Sequence, residues 1–230
     1  MALAEDDRVG QVYGAYATDP RKAAAWAADN PGNRAIREEV AAEIVPFALA
    51  TAGPVLDAGC GTGWWLGRLA AAGVSSDRLW GIDVLPQRSA AAAKGAPGAT
   101  LRTADIRTLP FADGHFELVF LLTVLSSLCS ADDVRRALHE AARVTAPGGR
   151  LVIWEPRVPT LNRATRLVRD SEVSAALGPE VSSRAITLLP PLARRLGRAT
   201  PRLYPALARL PPLRSHRLME WRRPPPSTSA

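Results

Sequence analysis

Cysteine is scarce in this chain of 230 residues: only Cys60 and Cys129 occur. Two cysteines cannot build a disulfide framework or a cysteine-rich metal set, so no metal is expected. Their scarcity fits a reducing cytoplasm as the simplest compartment. No apolar run reaches the roughly 20 residues of a membrane span. The first residues, Met1-Ala2-Leu3-Ala4-Glu5-Asp6-Asp7, are acidic, so no secretion signal is expected. Lysine is nearly missing, with only Lys22 and Lys94, and the net charge of +7 therefore rests on arginine. That charge is uneven: residues 156–230 hold 14 arginines against 4 acids. Such a balance would suit an acidic substrate, a membrane surface or nucleic acid. An Ala- and Arg-rich composition explains it more simply. There is no internal repeat.

What is present is an alternation of elements. Residues 21–29, after Asp19-Pro20, read as a helix carrying Trp26, with Pro at its first position. Asn30-Pro31-Gly32-Asn33 reads as a turn. Residues 34–50 have Ile36, Val40, Ile44 and Phe47 at helical spacing, and Pro46 is expected to bend or end that helix. Strands are expected at 54–57, 79–83, 100–104, 116–124 and 150–154. Helices are expected between them at 64–72, 86–94 and 132–144. This order predicts an α/β fold, a mostly parallel sheet with helices on both faces. Further on, an extra helix is expected at 160–177 and strands at 185–189 and 216–221. Between those strands the prolines of 190–213 are expected to cut any helix short. The chain reads as one domain over 1–230. Its parts are a helical lid (1–50), a core (51–155), a variable region (156–223) and a tail (224–230).

The sharpest signal is Val55-Leu56-Asp57-Ala58-Gly59-Cys60-Gly61-Thr62-Gly63, which ends one predicted strand and opens a helix. Glycines at alternate positions let the chain turn tightly and leave the backbone bare for close approach of a ligand. A dinucleotide loop wants a small residue where Trp64 stands, and no Gly-Lys-Ser/Thr follows to make a phosphate loop. Asp57, just before the glycines, suits a cationic ligand better than a pyrophosphate. Ligands of open parallel sheets sit beyond the C-terminal strand ends. Asp83 and Asp105 fall there too. Asp83 can hold both ribose hydroxyls of a nucleoside, and Asp105 can accept from the amine of adenine.

These residues together resemble the motifs of class I S-adenosylmethionine (SAM) methyltransferases. The likeness extends through Thr108-Leu109-Pro110-Phe111-Ala112-Asp113-Gly114 and Ala146-Pro147-Gly148-Gly149, as in small-molecule ("type 11") members. It implies a Rossmann-like, seven-stranded sheet whose last strand is antiparallel, and S-adenosyl-L-methionine as cofactor. It implies that Asp57, Gly59, Cys60, Gly61 and Gly63 hold the methionine part, Asp83 the ribose, and Asp105 and Ile106 the adenine. Val84 would pack on the adenine ring, Leu122 would line the methionine side, and Tyr13 belongs to an N-terminal segment expected to close over the cofactor.

The reaction so implied is an in-line displacement at a sulfonium methyl, in which the enzyme mainly supplies proximity and alignment. A base is needed only if the acceptor loses a proton. Tyr16 and Glu155 are the candidates. His115, His139 and His216 read as structural, and Cys60 lacks an electropositive setting that would make it a nucleophile. Substrate contacts are expected from Trp26, Trp64, Trp65 and Ser126, which predicts a small, largely hydrophobic acceptor, with an acidic group as an option. Three alternatives stand beside this. A nucleic-acid methyltransferase would use the basic C-terminal third, but no amine-type motif follows the fourth strand and no RNA-binding module is evident. A SAM-binding protein without methyl transfer would keep the same motifs. Membrane-surface contact through 190–213 is weakened by its prolines. Oligomeric state is not legible.

Overall fold

A computed structural model describes residues 30–159 and 165–225. Tyr13, Tyr16, Trp26 and the helix expected at 21–29 lie outside the described residues, as do 160–164 and 226–230.

Helix α1 spans Pro31–Ala50. Asn30, expected within a turn, is its N-cap: the side-chain oxygen accepts from the N–H of Gly32 at 2.9 Å and Asn33 at 3.4 Å. Pro31 fits at the first position because its missing N–H would have no helical partner there. Pro46 lies inside this helix without ending it. Strand β1 (Val55–Ala58) leads through the glycine loop to α2 (Trp64–Ala71), then β2 (Leu79–Asp83), α3 (Pro86–Gly95) and β3 (Thr100–Thr103). Next come β4 (Phe116–Leu122), α4 (Ala131–Val144) and β5 (Thr145–Pro156). Of the expected 160–177 helix, the described residues from 165 on contain α5, Asp170–Leu177. It begins there because Glu172 reaches back to accept the Arg169 N–H at 2.9 Å, a capping arrangement. Upstream, the Arg166 N–H is given to Ser126 O at 2.9 Å instead of to a helix. After β6 (Ser182–Leu188), the proline-rich stretch forms helices α6 (Pro190–Ala199) and α7 (Tyr204–Ala208) before β7 (Arg214–Arg222). As expected, the stretch is cut into short pieces, and prolines also stand at the first turns of α6 and α7, where a missing N–H costs nothing.

The strands form one seven-stranded sheet in the order β3-β2-β1-β4-β5-β7-β6. β7 runs antiparallel to both neighbours, and the pairs among β1 to β5 are parallel. The mostly parallel sheet with an antiparallel last strand is the architecture expected from the sequence. Apolar side chains fill both faces. One layer joins α1, α2, α3, α6 and α7 to the sheet through Val40, Ile44, Leu66, Ala92, Ala193 and Tyr204. The other joins α4 and α5 through Leu138, Val144 and Val173. A strand buried on both sides is apolar, as β4 is from Leu118 to Leu122, with only Glu117 near its start exposed. The order reverses at β1, which has β2 on one side and β4 on the other, so the loops after β1 and β4 part and leave a crevice at the C-terminal edge. No helix among the described residues is long and apolar enough to cross a membrane.

Candidate functional site

The glycine loop lies at that crevice. Gly59, Gly61 and Gly63 have φ of 95°, 55° and 78°, a left-handed conformation that side chains rarely adopt. Two of them are also hemmed in. A Cβ on Gly59 would lie 2.5 Å from Val124 Cγ2, and one on Gly63 2.9 Å from Ala92 O. Gly61 has space around it, with the Arg88 guanidinium its nearest neighbour at 3.7 Å. The loop is tied to β2: Gly59 and Cys60 N–H donate to Ile82 O at 2.9 and 2.8 Å. Cys60 is packed beneath it, and burial, then the charges of Asp57 and Asp83, push its thiol up. That thiol is a small packing group, not a thiolate.

Asp57 is 1% exposed, and neither carboxylate oxygen finds a hydrogen-bond partner. Burial first, then the charge of Asp83, push its carboxyl up to about 7. An orphaned carboxylate of this kind is costly. A cationic ligand group reaching it would remove the cost. Asp83 is occupied differently. Its Oδ2 accepts from Gly61 N–H at 3.0 Å and its Oδ1 from Leu85 N–H at 3.0 Å, with Arg88 at 3.7 Å. A carboxylate offers about four acceptor sites, so capacity remains for hydroxyls. Val84, half-buried, follows directly. Asp105 is held by Arg107, whose Nε and Nη2 reach both its oxygens at 2.6 to 3.0 Å, and Arg107 also bridges to Asp133 at 3.1 Å. Ile106 is buried among the apolar side chains of the α4 face.

At the end of β4, Leu122 is buried and Thr123 has φ of 59°, unusual for a branched residue. The turn that follows, Leu125–Ser127, is held by Glu155. The Glu155 carboxylate is fully buried and accepts from Leu125 N–H at 2.7 Å and Ser126 N–H at 3.2 Å. Burial pushes this carboxyl up to about 7, although the hydrogen bonds of Ser126 and Leu125 favour its charged form. Glu155, a candidate base in the sequence, is thus spent as a turn cap. Ser126, a candidate substrate contact, is spent with it.

The tryptophans also divide. Trp64 packs edge-on to Trp65 at 4.6 Å and lies under Arg37 at 5.1 Å. It lines a surface groove of about 470 Å3 with Arg34, Arg37, Glu38, Arg68 and Gly95, which runs along α1 and α2 and meets the loop at Thr62. The residue that turns toward the strand ends is Trp65, whose ring is 6.1 Å from Trp154. Sequence reasoning passed over Trp154 because it read as one more apolar strand residue. His115 is exposed and joins Trp80, Phe111 and Phe116 in an aromatic cluster, and His139 is exposed on α4. No cluster of metal-ligating side chains occurs among the described residues.

Several C-terminal arginines are already engaged. Arg166, Arg184 and Arg217 pair with Glu172, Glu43 and Asp170, while Arg157, Arg214 and Arg223 donate to backbone carbonyls. That dispersal speaks against a continuous nucleic-acid surface on this third of the chain.

An orphaned acid at the end of β1, a left-handed glycine loop and a second acid at the end of β2 define a nucleoside-cofactor domain of the Rossmann-like, class I kind. Residues 55–149 match the family described as "Methyltransferase domain". The chain is 32% identical over 179 residues to "O-methyltransferase cnsE" of Penicillium expansum, covering 72% of this chain and 61% of that protein. It is 37% identical over 115 residues to "Demethylmenaquinone methyltransferase" of Mycolicibacterium vanbaalenii, covering 49% of this chain and 46% of that protein. In both cases it spans less than two thirds of the relative's length. The fold is shared with the N-methyltransferase NodS from Bradyrhizobium japonicum in complex with S-adenosyl-L-homocysteine, at a TM-score of 0.64 and 18% identity over 94% of this chain and 99% of that one.

Proposed function

We propose that this chain binds S-adenosyl-L-methionine and transfers its methyl group to a small, largely hydrophobic acceptor. The observation that carries the reading is the orphaned Asp57 carboxylate beside a left-handed glycine loop. A carboxylate buried without a partner matches an ammonium, the group a methionine moiety presents, and does not match a pyrophosphate. Asp83 would hold the ribose hydroxyls while keeping Gly61 in place. Asp105, Ile106 and Val84 would receive the adenine, with Arg107 exchanging part of its hold on Asp105. Gly61, free of close neighbours on its Cβ side, would let the methionine backbone approach. Leu122, at the end of β4, and Val124, just after it, would wall the far side of the crevice.

Bound SAM supplies a methyl already activated by the sulfonium charge. What remains for the protein is to align acceptor and methyl and to exclude water, which is worth several kcal/mol of the barrier. A hydrophobic acceptor suits the aromatic residues beside the strand ends, Trp65 and Trp154.

The test is twofold. SAM and S-adenosylhomocysteine should each raise the melting temperature by mass action, and radiolabel from methyl-labelled SAM should pass to a small organic-soluble product. Binding without any transfer would favour a SAM-dependent role other than methylation. Absence of a melting shift with either ligand sinks the reading.

A further inference from the structure

Trp154 and His216 form a second polar and aromatic cluster, two strands from β4. Their rings stack at 4.5 Å and 23°. His216 pairs with Pro156 of β5 and Ile186 of β6. Because β4, β5 and β6 run the same way, the start of β7 lies at the same C-terminal edge as the glycine loop. Trp65, the second residue of α2, connects the two, since it meets Trp154 edge-on. The aromatic packing therefore runs from α2 to His216, with Trp154 and His216 buried.

The hydrogen bonds set the imidazole's state. His216 Nδ1 lies 2.8 Å from Ser215 Oγ and 3.1 Å from Thr187 Oγ1. Ser215 has one hydroxyl proton, and its Oγ lies 3.3 Å from Leu188 O and 3.4 Å from Thr187 O, acceptors that can take it. A hydroxyl so used accepts from Nδ1–H, which leaves Nε2 with a lone pair. Among the described residues Nε2 takes no hydrogen bond. Thr187 is wholly buried and holds φ of 58°, so this arrangement is kept at the expense of backbone strain. Beside the imidazole, Trp154 Nε1–H is buried with no partner. A stranded donor and a presented lone pair thus lie together on one aromatic surface.

Resting on the methyltransferase reading, we infer that this surface is the acceptor subsite, that it takes a flat hydroxylated ring of the phenol or quinol class, and that His216 Nε2 removes the hydroxyl proton. The ring stacks on the aromatic surface, one oxygen accepts from Trp154 Nε1–H, and a hydroxyl faces Nε2. As the O–CH3 bond forms, the S–CH3 bond breaks and its electron pair stays on sulfur. The acceptor proton passes to Nε2, and the positive charge lost by the sulfonium appears on the imidazolium. The Trp154 face and the Ser215 and Thr187 oxygens stabilise that charge.

Other charges near the ring are already engaged. Glu39 of α1 accepts from Thr187 N–H at 3.1 Å and Tyr204 O–H at 2.7 Å. Arg214 donates to Ala208 O and Ala185 O. Glu155 caps its turn, and Arg217 pairs with Asp170. Burial pushes the imidazole down to about 4, so it is neutral at rest and too weak a base to ionise a free phenol; it takes the proton only as O–CH3 bond formation acidifies the hydroxyl.

The test is nitrogen-15 NMR of the histidine rings in the full chain saturated with S-adenosylhomocysteine, where His216 is the buried ring of three. The expected spectrum shows Nδ1 protonated and Nε2 bare above about pH 5. Addition of 2-naphthol should move the Nε2 resonance, while 2-methoxynaphthalene, with no proton to give, should not. Alongside this, His216→Gln should keep the melting shift with S-adenosylhomocysteine and lose about 100-fold or more in transfer to a panel of phenols and naphthoquinols. Ser215→Ala, with its tautomer unpinned, should lose less. An Nε2–H tautomer, no response to 2-naphthol, no transfer to any panel member, or full transfer by His216→Gln each overturns the inference. If His216→Gln does not fold, the wild-type titration decides alone. A wild-type chain that shows no melting shift fails the underlying reading instead.

Discussion

Asp57 and Asp83 stand at the ends of adjacent parallel strands, and the charge of Asp83 raises the proton affinity of Asp57. The two carboxylates are alike in sequence context and opposite in condition. Asp83 has backbone donors on both oxygens, and Asp57 has none. One acid holds the loop's shape, while the other waits for charge from outside. The predictions below follow from that division and from the packing around it.

In the ligand-free protein Asp57→Asn should raise stability by about 1–3 kcal/mol, because it removes a buried charge that nothing compensates. The same change should weaken SAM binding by tenfold or more. Chemical denaturation with and without ligand reads both effects. Loss of stability together with unchanged binding would contradict the assignment.

The pH dependence has a definite sign. Asp57 and Glu155 both titrate near 7 in the folded protein, against 3.8 and 4.5 ordinarily. Between about pH 4.5 and 7 the folded state therefore binds protons that the unfolded chain releases. The melting temperature of the ligand-free protein should rise as pH falls from 8 to 5.5. SAM affinity should fall over the same range, because its ammonium needs Asp57 ionised. In Asp57→Asn the affinity trend should vanish and the stability trend should shrink to the part that Glu155 contributes.

Gly32→Ala should destabilise strongly. A Cβ there would lie 2.1 Å from Ala193 O, backbone of α6, and neither helix can give way cheaply. A cost of about 2–4 kcal/mol is expected for such overpacking and displacement. Gly73→Ala is the comparison: φ is 102° but nothing lies within 4 Å, so only backbone strain of about 1–2 kcal/mol is added. Melting curves of the two variants should rank accordingly.

Gly59→Ala combines both faults, φ of 95° and a Cβ 2.5 Å from Val124. It should lower the melting temperature and also remove the ligand-induced shift, since the loop itself must move. A variant that melts lower but keeps its full SAM shift would separate the loop's fold from its binding role.

The core of the fold was legible because its signals are local. Alternating apolar runs marked β1 to β5, and the glycines with Asp57 and Asp83 marked the crevice. What was not legible depends on contacts distant in sequence. The role of Glu155 is set by N–H groups of Leu125 and Ser126, 30 and 29 residues away. Which of Trp64 and Trp65 faces the strand ends is set by Trp154, and the environment of His216 by Thr187 and Ser215. The prolines of 190–213 do keep its helices short, but sequence alone does not tell which of them also open a helix at its first turn. Asn30-Pro31 was read as a turn for the same reason, although an N-cap followed by Pro also opens helices.

The central claim is that Asp57 is the receptor for the ligand's ammonium. It is tested most directly by calorimetric titration of S-adenosylhomocysteine into the wild-type chain and Asp57→Asn, at pH 8 and pH 6. The account predicts saturable wild-type binding that weakens at pH 6 with proton release on complex formation, and binding at least tenfold weaker and flat with pH in the variant. Equal affinities in the two proteins, or no heat of binding in the wild type, would contradict it.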